Sequence, residues 1–276
     1  MKILITGSSG FIGSHLIKRL NPIYEVSTFD IKDNKDILDK EALSENMKKV
    51  NIVIHLAALV KQAESWKKTD SYLITNGIGT FNVLQAAEKN KVSRVILLSS
   101  AAVYAKPLTP YGLSKRFAEE ACHMFNKLET VILRPFNAYG KSQNLTYNYA
   151  IHNFIRDIKN KGIVNIYGDG NQTRDFIFID DLVKVIEHFL TNTPPKNPLD
   201  VGTGKEITIN DLAICIGKIL KKDFKINYLR ERKEPYYSKA NISLLKKSGI
   251  KIDHFRNIEE GIRILINKNA NNTLKT

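Results

Sequence analysis

Long apolar runs are missing from this sequence. No stretch approaches the roughly 20 apolar residues that a helix needs to cross a bilayer. The first residues, "MKILITGSSG", reach glycine and serine before they build the apolar core of a signal peptide. We therefore expect a cytoplasmic protein that does not interact with a membrane.

Cysteine is also scarce, since the chain has only two. Cys122 and Cys215 lie in apolar, helix-like stretches, which favours buried, reduced thiols and again a cytoplasmic location. No cysteines and histidines cluster at the spacing of metal ligands, so the sequence predicts no metal site.

Acidic residues are outnumbered, and the formal net charge of the chain is +14. Residues 217–276 hold 15 Lys and Arg against 6 Asp and Glu, so most of the excess lies in this last part. Such a surface can attract nucleic acid, acidic membrane or a phosphorylated small molecule, or it can simply be solvated. Because no basic motif interleaved with aromatics and no zinc-finger or RNA-binding signature is present, we expect no nucleic-acid partner.

Short apolar runs alternate with amphipathic stretches in the first half of the chain. Strands are predicted at 2–6, 25–29, 51–57, 94–99 and 130–134, and helices near 11–20, 40–49, 72–90 and 111–127. Buried strands separated by helices are typical of a parallel sheet covered on both faces. The predicted fold class is therefore α/β, with a Rossmann doubly wound parallel sheet.

The pattern loosens after Arg134. Helices are predicted near 149–160, 208–220, 241–247 and 258–267, and "LDVGTG" at 199–204 suggests a late return to the sheet. We predict a Rossmann domain at 1–140, with returning segments near 176–202. Residues 141–175 and 203–276 would form a smaller C-terminal α/β domain that binds substrate.

A glycine-rich turn directly follows the first strand, in "KILITGSSGFIGSHL". Gly7 permits a tight turn, Gly10 lets the backbone approach a pyrophosphate, and Gly13 lets helix and strand pack closely. The helix that begins there offers N–H groups and its positive dipole end to phosphate. The Gly-Lys-Ser/Thr of a P-loop is absent, so the turn predicts a dinucleotide site rather than an ATPase.

Asp30 stands at the end of the second strand, 17 residues after Gly13. A carboxylate there can accept hydrogen bonds from both ribose hydroxyls of adenosine and repels a 2′-phosphate, so we predict NAD rather than NADP. A turn or capping aspartate is the alternative. Asp36 and Ile37 are placed to border the adenine.

A tyrosine and a lysine stand one helical turn apart in "YGLSK", as Tyr111 and Lys115. Free tyrosine has a pKa near 10, which a nearby ammonium group lowers, so the phenol can serve as a base at neutral pH. A serine at the end of the preceding strand, Ser100 or Ser99, can donate a hydrogen bond to a substrate oxygen. Together these side chains are suited to oxidise a secondary alcohol beside a nicotinamide.

The sequence resembles the extended short-chain dehydrogenase/reductase family, especially its nucleotide-sugar epimerases. The segments "TGSSGFIG", "HLAA", "NGIGTFNVLQAA", "SSAAVY", "YGLSK", "LRPFNAYG" and "GDGNQTRDFIFIDDL" occur in that family's order. The resemblance implies catalytic roles for Ser100, Tyr111 and Lys115, with Ser99 as the fallback. The cofactor contacts it implies, besides the glycines and acids already named, are Phe11, Ile12, Leu56, Ala57, Ala58, Asn76, Ser99, Tyr111, Lys115 and Pro135.

The resemblance also implies substrate contacts. Ser100 would meet the sugar, and Asn137 and Arg174 the nucleotide diphosphate. The family's late phosphate-binding motif is reduced here to "RERKEP", from which Arg232 and Glu234 are chosen.

The position that limits space around the C2 substituent of the sugar maps to Ser238, or to Tyr237 if the alignment slips. A small residue there admits an N-acetyl group.

Two departures from the family qualify the reaction. The segment between Tyr104 and Tyr111 is short, so the site is either more open or completed by another segment. Family dehydratases carry Asp-Glu where this chain has Ala101 and Ala102, which argues against dehydration.

The resemblance thus implies NAD-dependent 4-epimerisation of a UDP-hexose or UDP-N-acetylhexosamine. The alternatives are a 4-keto nucleotide-sugar reductase and a non-catalytic binding protein with a basic face. It also implies a homodimer through helices 72–90 and 111–127, where Phe81, Leu84, Phe117 and Cys122 supply either a second apolar face or ordinary core.

Overall fold

A computed structural model describes residues 1–143, 149–232 and 235–270 of the 276-residue chain. The chain divides into two compact units. The first comprises residues 1–135, 183–201 and 243–250, and the second comprises the described residues of 136–182, 202–242 and 251–276.

The first unit alternates strands with helices. Its strands are β1 (Lys2–Thr6), β2 (Glu25–Phe29), β3 (Ile52–His55), β4 (Arg94–Leu98), β5 (Glu129–Pro135) and β10 (Leu199–Val201). Its helices are α1 (Phe11–Leu20), α2 (Lys40–Asn46), α3 (Gln62–Ser65), α4 (Thr69–Tyr72), α5 (Gly79–Lys89), α6 (Pro110–Met124) and α10 (Ser243–Lys247). Short 3₁₀ helices at Ile31–Asp33 and Ala101–Tyr104 and a π-helix at Leu73–Ile78 complete it.

The six strands form one sheet in the order β10-β5-β4-β3-β1-β2, and every neighbouring pair is parallel. This arrangement, with its flanking helices, confirms the predicted Rossmann-type α/β fold. The chain order reverses between β1 and β3. In such sheets ligands bind outside the carboxyl ends of the strands at this reversal, where the glycine turn and the "HLAA" segment begin.

Burial explains why these segments form strands. β3 and β4 are buried along their whole length, as expected for central parallel strands made of apolar residues. The core between sheet and helices includes Leu84 and Cys122, and Phe81 packs against it. These three residues are therefore core, and of the apolar residues proposed for a dimer face only Phe117 is substantially exposed, at 46%.

Helix α6 begins where local chemistry starts it. Pro110 stands in its first turn, and the Thr109 hydroxyl accepts a hydrogen bond from the Gly112 N–H at 3.0 Å. A proline in the first turn costs no intrahelical hydrogen bond, and a threonine cap satisfies one of the free N–H groups. This start fixes the helical frame that carries Tyr111 and Lys115.

The second unit contains short strands and three main helices. Its elements are β6 (Ala138–Tyr139), α7 (Ala150–Lys161), β7 (Ile163–Tyr167), β8 (Thr173–Arg174), β9 (Ile177–Phe178), β11 (Ile207–Thr208), α9 (Ile209–Leu220), β12 (Lys225–Leu229), a 3₁₀ helix (Ile252–His254) and α11 (Ile258–Ala270). Helix α8 (Ile179–His188) spans the boundary of the two ranges. The pairs β7–β12 and β6–β9 are parallel, and β8–β11 is antiparallel.

The unit boundaries differ from the predicted domains in three places. Residues 136–140 and 176–182 belong to the second unit rather than the first, and residues 243–250 belong to the first. Helix α10 packs against β10, and the Ser248 carbonyl lies 2.9 Å from Nε2 of His188. A short late segment is thereby held to the parallel sheet, which sequence order alone does not reveal.

Candidate active site

The glycine turn after β1 is too tight for side chains. Gly7 has φ +69°, and a Cβ there would lie 2.6 Å from the Ala57 nitrogen. A Cβ on Gly13 would lie 2.5 Å from the Gly7 carbonyl oxygen. Gly10 caps α1 with no side-chain hydrogen bond. The helix N-terminus is therefore open to an anion, with Phe11, Ile12 and Gly13 supplying first-turn N–H groups.

Asp30 closes one side of this turn. Its Oδ2 accepts the Ser9 N–H at 2.8 Å, and its Oδ1 accepts the Lys32 N–H at 3.0 Å. The carboxylate is 7% exposed and caps the 3₁₀ helix at Ile31–Asp33. The capping alternative is thus realised, and the same bonds hold the carboxylate beside the glycine turn. Its role toward ribose stays a prediction.

The segment after β3 closes the other side. The Ala57 N–H donates to the Thr6 hydroxyl at 3.3 Å, as does the N–H of Leu56. Leu56, Ala57 and Ala58 are half-buried. Asn76 is only 1% exposed, and its amide bonds the backbone of Leu59 at 2.7 and 2.9 Å. Asn76 therefore holds the loop that follows Ala58.

Asp36 and Ile37, the two residues predicted to border the adenine, differ in burial. Asp36 is half-buried, and its Oδ1 accepts the Leu38 N–H at 2.9 Å. Ile37 is buried and fills the space beside Gly79, where a Cβ would come within 2.5 Å of its Cδ1. Their adenine contacts stay predictions.

These residues fit a dinucleotide. The tight turn requires glycine because a Cβ at Gly7 or Gly13 would collide with backbone atoms, the α1 terminus has no acidic residue in its first turn, and a carboxylate stands at the end of β2. The glycines and α1 N–H groups would hold the pyrophosphate, and Asp30 the adenosine ribose.

The two candidate serines after β4 have different surroundings. Ser99 is 4% exposed, and its hydroxyl donates to Glu119 Oε1 at 2.5 Å. Ser100 is half-buried, and its oxygen accepts the Ala102 N–H at 3.1 Å. Within the described residues the Ser100 hydroxyl hydrogen has no acceptor, so it is the one available to a substrate oxygen.

Lys115 is anchored beneath the end of β4. Its Nζ donates to the Leu98 carbonyl at 2.8 Å, and the residue is 5% exposed. Burial lowers the pKa of Lys115 to about 8, against the opposing charge of Glu119. Tyr111 is half-buried one turn earlier on α6 and meets Tyr72 edge to face at 6.3 Å. The end of β5 supplies the half-buried Pro135.

The first turn of α6 also packs on the segment after Ser100. A Cβ on Gly112 would lie 2.5 Å from the Ala102 carbonyl oxygen. Ser100, Tyr111 and Lys115 are thus all tied to the carboxyl edge of β4, which is the grouping that the sequence predicts.

A buried ion pair beside these residues was not anticipated. Arg134 donates from Nε and Nη2 to the two carboxylate oxygens of Glu119, at 2.8 and 2.5 Å. It also donates to the Tyr104 hydroxyl at 2.7 Å, which in turn donates to Asp200 at 2.7 Å. These bonds to Glu119 raise the pKa of Arg134. The sequence feature that could have predicted this ion pair is Glu119, which lies four residues after Lys115 and so on the same helix face.

A buried histidine was likewise missed. His55 is 2% exposed at the end of β3, and burial lowers its pKa to about 3, with a further contribution from the charge of Lys115. The available signal was its position at the head of "HLAA", directly after an apolar strand.

The short segment between Tyr104 and Tyr111 borders an open cavity of about 420 Å³. Residues 103–108 line it together with Arg116 and Arg134. Every lining residue belongs to the first unit.

Asn137 and Arg174 lie in the second unit. Asn137 has φ +26° and donates from its amide to the Asp175 carbonyl at 2.8 Å. Arg174 donates to the carbonyls of Thr173 and Pro235 at 2.8 and 2.9 Å.

Arg232 and Ser238 also lie in the second unit. The exposed guanidinium of Arg232 stands 3.4 Å from the ring centre of Tyr167. Ser238 is half-buried and its backbone carbonyl accepts the Asp175 N–H at 2.8 Å, whereas Tyr237 is 73% exposed. Glu234 lies outside the described residues. The substrate roles stay predictions.

Two kinds of site are absent from the residues that the structure describes. No group of three or more His, Cys, Asp or Glu side chains is placed to hold a metal ion. In the same part of the chain, no helix has both the length and the apolar character that a membrane span requires.

Comparison with known proteins connects this geometry to a family. Residues 3–202 match the model described as NAD dependent epimerase/dehydratase family. A protein of Methanocaldococcus jannaschii named putative UDP-glucose 4-epimerase is 30% identical over 313 residues, covering 98% of this chain and 100% of that protein. A UDP-N-acetyl-alpha-D-glucosaminuronate decarboxylase of Bacillus cytotoxicus is 30% identical over 264 residues, covering 82% of each chain.

A solved structure agrees closely with the fold. The UDP-N-acetylglucosamine 4-epimerase from Methanobrevibacter ruminantium M1, in complex with UDP-N-acetylmuramic acid, superposes with a TM-score of 0.88 at 30% identity. The match covers 95% of this chain and 96% of that one.

Proposed function

Because the chain belongs to the NAD-dependent epimerase/dehydratase family, whose cofactor is NAD, we propose that it is a 4-epimerase of a UDP-hexose or UDP-N-acetylhexosamine. The observation that carries this proposal is the set of side chains at the carboxyl end of β4. Ser100 has a hydroxyl hydrogen to donate, Lys115 is anchored one turn from Tyr111, and Ala101 and Ala102 stand where a dehydratase needs acids.

Bound NAD would supply the hydride chemistry, as acceptor of a hydride from C4 of the sugar and as its donor to the opposite face of the ketone. Tyr111, as phenolate, takes the proton of the 4-hydroxyl in the first half of the cycle and returns it in the second. Ser100 donates its hydrogen bond to the same oxygen and so stabilises the carbonyl. No further proton donor is required, which suits a site where the neighbouring positions are alanines.

Lys115 keeps Tyr111 reactive. With a pKa of about 8, its side chain is mostly an ammonium ion at neutral pH, and a nearby positive charge favours the phenolate. Its bond to the Leu98 carbonyl fixes the charge in place. Glu119 is already paired with Arg134, so that carboxylate is not available as a second acid or base.

The second unit supplies the proposed substrate contacts. We assign Asn137, Arg174 and Arg232 to the nucleotide diphosphate, because two cations and an amide match its charge and acceptors. Ser238 takes the position next to the C2 substituent of the sugar, and its small side chain leaves room for an N-acetyl group.

A panel of nucleotide sugars tests the reaction. Purified protein is incubated with UDP-glucose, UDP-N-acetylglucosamine and UDP-glucuronic acid, and the products are identified by NMR. Interconversion of the 4-epimers supports the proposal.

Each other outcome replaces the proposal with a defined alternative. Loss of CO₂ from the uronic acid identifies a decarboxylase, as the Bacillus cytotoxicus relative is named, and a 4-keto-6-deoxy product identifies a dehydratase. Turnover only of a 4-keto sugar with added reduced nucleotide identifies the reductase. No turnover of any of these leaves the non-catalytic reading.

A homodimer is the second part of the proposal. Ile78 of the π-helix and Leu113 and Phe117 of α6 are 46–47% exposed, and a Cβ on Gly77 would lie 3.0 Å from the Phe117 ring. These neighbouring apolar side chains would be covered by the same face of a second copy.

The oligomeric state is measured by light scattering. The wild type should be a dimer at micromolar concentration, and Leu113→Asp should be a monomer. Ile23→Asp places the same charge at another exposed apolar position of the first unit and should remain a dimer. A monomeric wild type contradicts the proposed homodimer and leaves the proposed reaction unaffected.

A further inference from the structure

A continuous chain of buried hydrogen bonds crosses the first unit below the candidate active site. At its start, the Thr6 hydroxyl lies 2.6 Å from Nδ1 of His55. Nε2 of His55 lies 2.9 Å from the Thr80 hydroxyl, which donates to the Asn76 carbonyl at 2.6 Å. All four residues are at most 2% exposed. Three separate segments, β1, β3 and the π-helix with α5, are therefore joined by side chains.

The chain continues to the candidate base. Nδ2 of Asn76 donates to the Ser114 hydroxyl at 2.9 Å, and Ser114 donates to the backbone carbonyl of Tyr111 at 2.8 Å. Ser114 is fully buried. No bulk water can replace these partners, so each bond restrains the positions of the groups it joins.

The pattern of donors fixes the form of the histidine. The Thr80 hydroxyl donates its hydrogen to the Asn76 carbonyl, so its oxygen must accept a hydrogen bond from Nε2–H of His55. Nδ1 of His55 then carries no hydrogen and accepts from the Thr6 hydroxyl. Thr6 is left to accept the N–H groups of Leu56 and Ala57 at 3.3 Å. A protonated ring would place a second donor against Thr6, which agrees with a pKa of about 3 for His55.

The two ends of the chain lie at different parts of the chemistry. At one end, Thr6 and the N–H of Ala57 adjoin Gly7, where a Cβ would touch the Ala57 nitrogen. At the other end stands the Tyr111 backbone. We propose that Thr6, His55, Thr80, Asn76 and Ser114 form a positioning chain, in which His55 joins the two threonines. This chain sets Tyr111 at a fixed distance from the glycine turn at Gly7–Gly13, the dinucleotide cradle. None of the five needs to touch the reacting atoms.

This inference has two arms, which fail separately. The cradle arm concerns NAD binding and does not depend on the sugar reaction. The Tyr111 arm rests on the proposed function. A misplacement of a catalytic group by about 1 Å can lower the rate roughly 100-fold. Removing a hydrogen bond of the positioning chain near Tyr111 should therefore lower kcat and leave KM almost unchanged.

The cradle arm is tested on protein freed of nucleotide. His55→Phe keeps a ring of similar size but removes the histidine's hydrogen bonds to both threonine hydroxyls, and Thr80→Val removes the middle link at constant shape. We expect each to raise the Kd for NAD, measured by calorimetry, by about 10-fold, by analogy with the loss seen when a residue that supports a metal ligand is removed. Thr80→Ser keeps the hydroxyl and should bind NAD like the wild type.

The Tyr111 arm is tested with Ser114→Ala. We expect an unchanged Kd for NAD and a kcat lowered by roughly 10- to 100-fold at nearly constant KM. Ser93→Ala is the matched control. The Ser93 hydroxyl likewise donates to a backbone carbonyl, that of Asn51 at 2.7 Å, but it is not part of the positioning chain. This variant should match the wild type in every measurement.

Circular dichroism and urea unfolding accompany each variant, so that a lost fold is recognised. Unchanged NAD affinity in folded Thr80→Val overturns the cradle arm even if His55→Phe does not fold. A wild-type kcat in folded Ser114→Ala overturns the Tyr111 arm. If the wild type turns over no nucleotide sugar, the proposed function fails and the Tyr111 arm fails with it, while the NAD measurements still decide the cradle arm.

Discussion

The two units of this protein present their candidate functional groups in opposite ways. In the first unit Lys115 is 5% exposed and Asn76 is 1% exposed, and both are bonded to neighbouring backbone. In the second unit Arg232 is exposed and lies over the ring of Tyr167, and Tyr237 is 73% exposed. Lys115 and Asn76 are held by the fold, whereas Arg232 and Tyr237 can be exchanged without disturbing a core.

Under the proposed function, this difference separates the residues that carry out the reaction from those that select the substrate. Buried, mutually bonded groups tolerate little change because an orphaned partner costs free energy, about 1–3 kcal/mol for each buried polar group. Exposed groups carry no such penalty. Substitutions in the first unit should therefore lower the rate for every substrate, and substitutions in the second should change the preference among substrates.

Tyr111→Phe should have the largest effect. Removing the hydroxyl removes the proposed base, and a positioned base is worth about 10²–10⁴-fold in kcat. The Kd for NAD, measured by calorimetry, should hardly change. Tyr24→Phe is the matched control in the same unit. Near-normal turnover by Tyr111→Phe contradicts the base assignment.

Ser238→Tyr should produce the opposite pattern, because it acts on preference. The larger ring would occupy the space of a C2 substituent, so turnover of the N-acetylated sugar should fall by roughly 100-fold while that of UDP-glucose is spared. Tyr237→Ser serves as the control, since Tyr237 takes this position if the alignment is slipped by one residue. Equal losses for both sugars in Ser238→Tyr, or a gain of N-acetylated turnover in Tyr237→Ser, would move the position away from Ser238.

His55 should make the stability of the first unit sensitive to acid. Burial lowers its folded-state pKa from 6.5 to about 3, so between these values the unfolded chain binds a proton that the folded chain does not. The stability that the neutral His55 contributes is therefore fully present above the unfolded-state pKa, and it is lost as the pH falls toward the folded-state pKa. Between about pH 6 and pH 4 the loss from His55 should be about 2 kcal/mol in the free energy of unfolding.

Urea unfolding at the two pH values measures this loss. His55→Phe should be less stable at neutral pH but should lack this part of the pH dependence. His123→Phe removes an exposed imidazole and should keep it. An unchanged slope in His55→Phe shows that another group is responsible.

Asp30→Asn should have the smallest effect. The amide keeps the shape and one acceptor, and it removes the charge that repels a 2′-phosphate. We expect the ratio of the Kd values for NADP and NAD to fall about tenfold, which corresponds to about 1.4 kcal/mol. Asp33→Asn, three residues later on the exposed surface, should leave the ratio unchanged. A wild type that binds NADP more tightly than NAD contradicts the role given to Asp30.

The sequence alone determined the periodic and local features of this protein. Apolar runs predicted the strands of the parallel sheet, because a strand buried on both faces needs apolar side chains throughout. The glycine turn predicted a dinucleotide site, since only glycine fits a positive φ and so close a backbone contact. The spacing of Tyr111 and Lys115 followed from helix geometry.

Only the tertiary structure decided which of two neighbouring side chains faces which partner. Ser99 bonds to Glu119 while the Ser100 hydroxyl hydrogen is left available, and sequence cannot separate them because both follow the same strand. The chain from Thr6 to Ser114 joins residues far apart in sequence, each an ordinary polar residue on its own. Hydrogen bonds depend on distance and direction in space, and the sheet and helices set those only when the whole unit has folded.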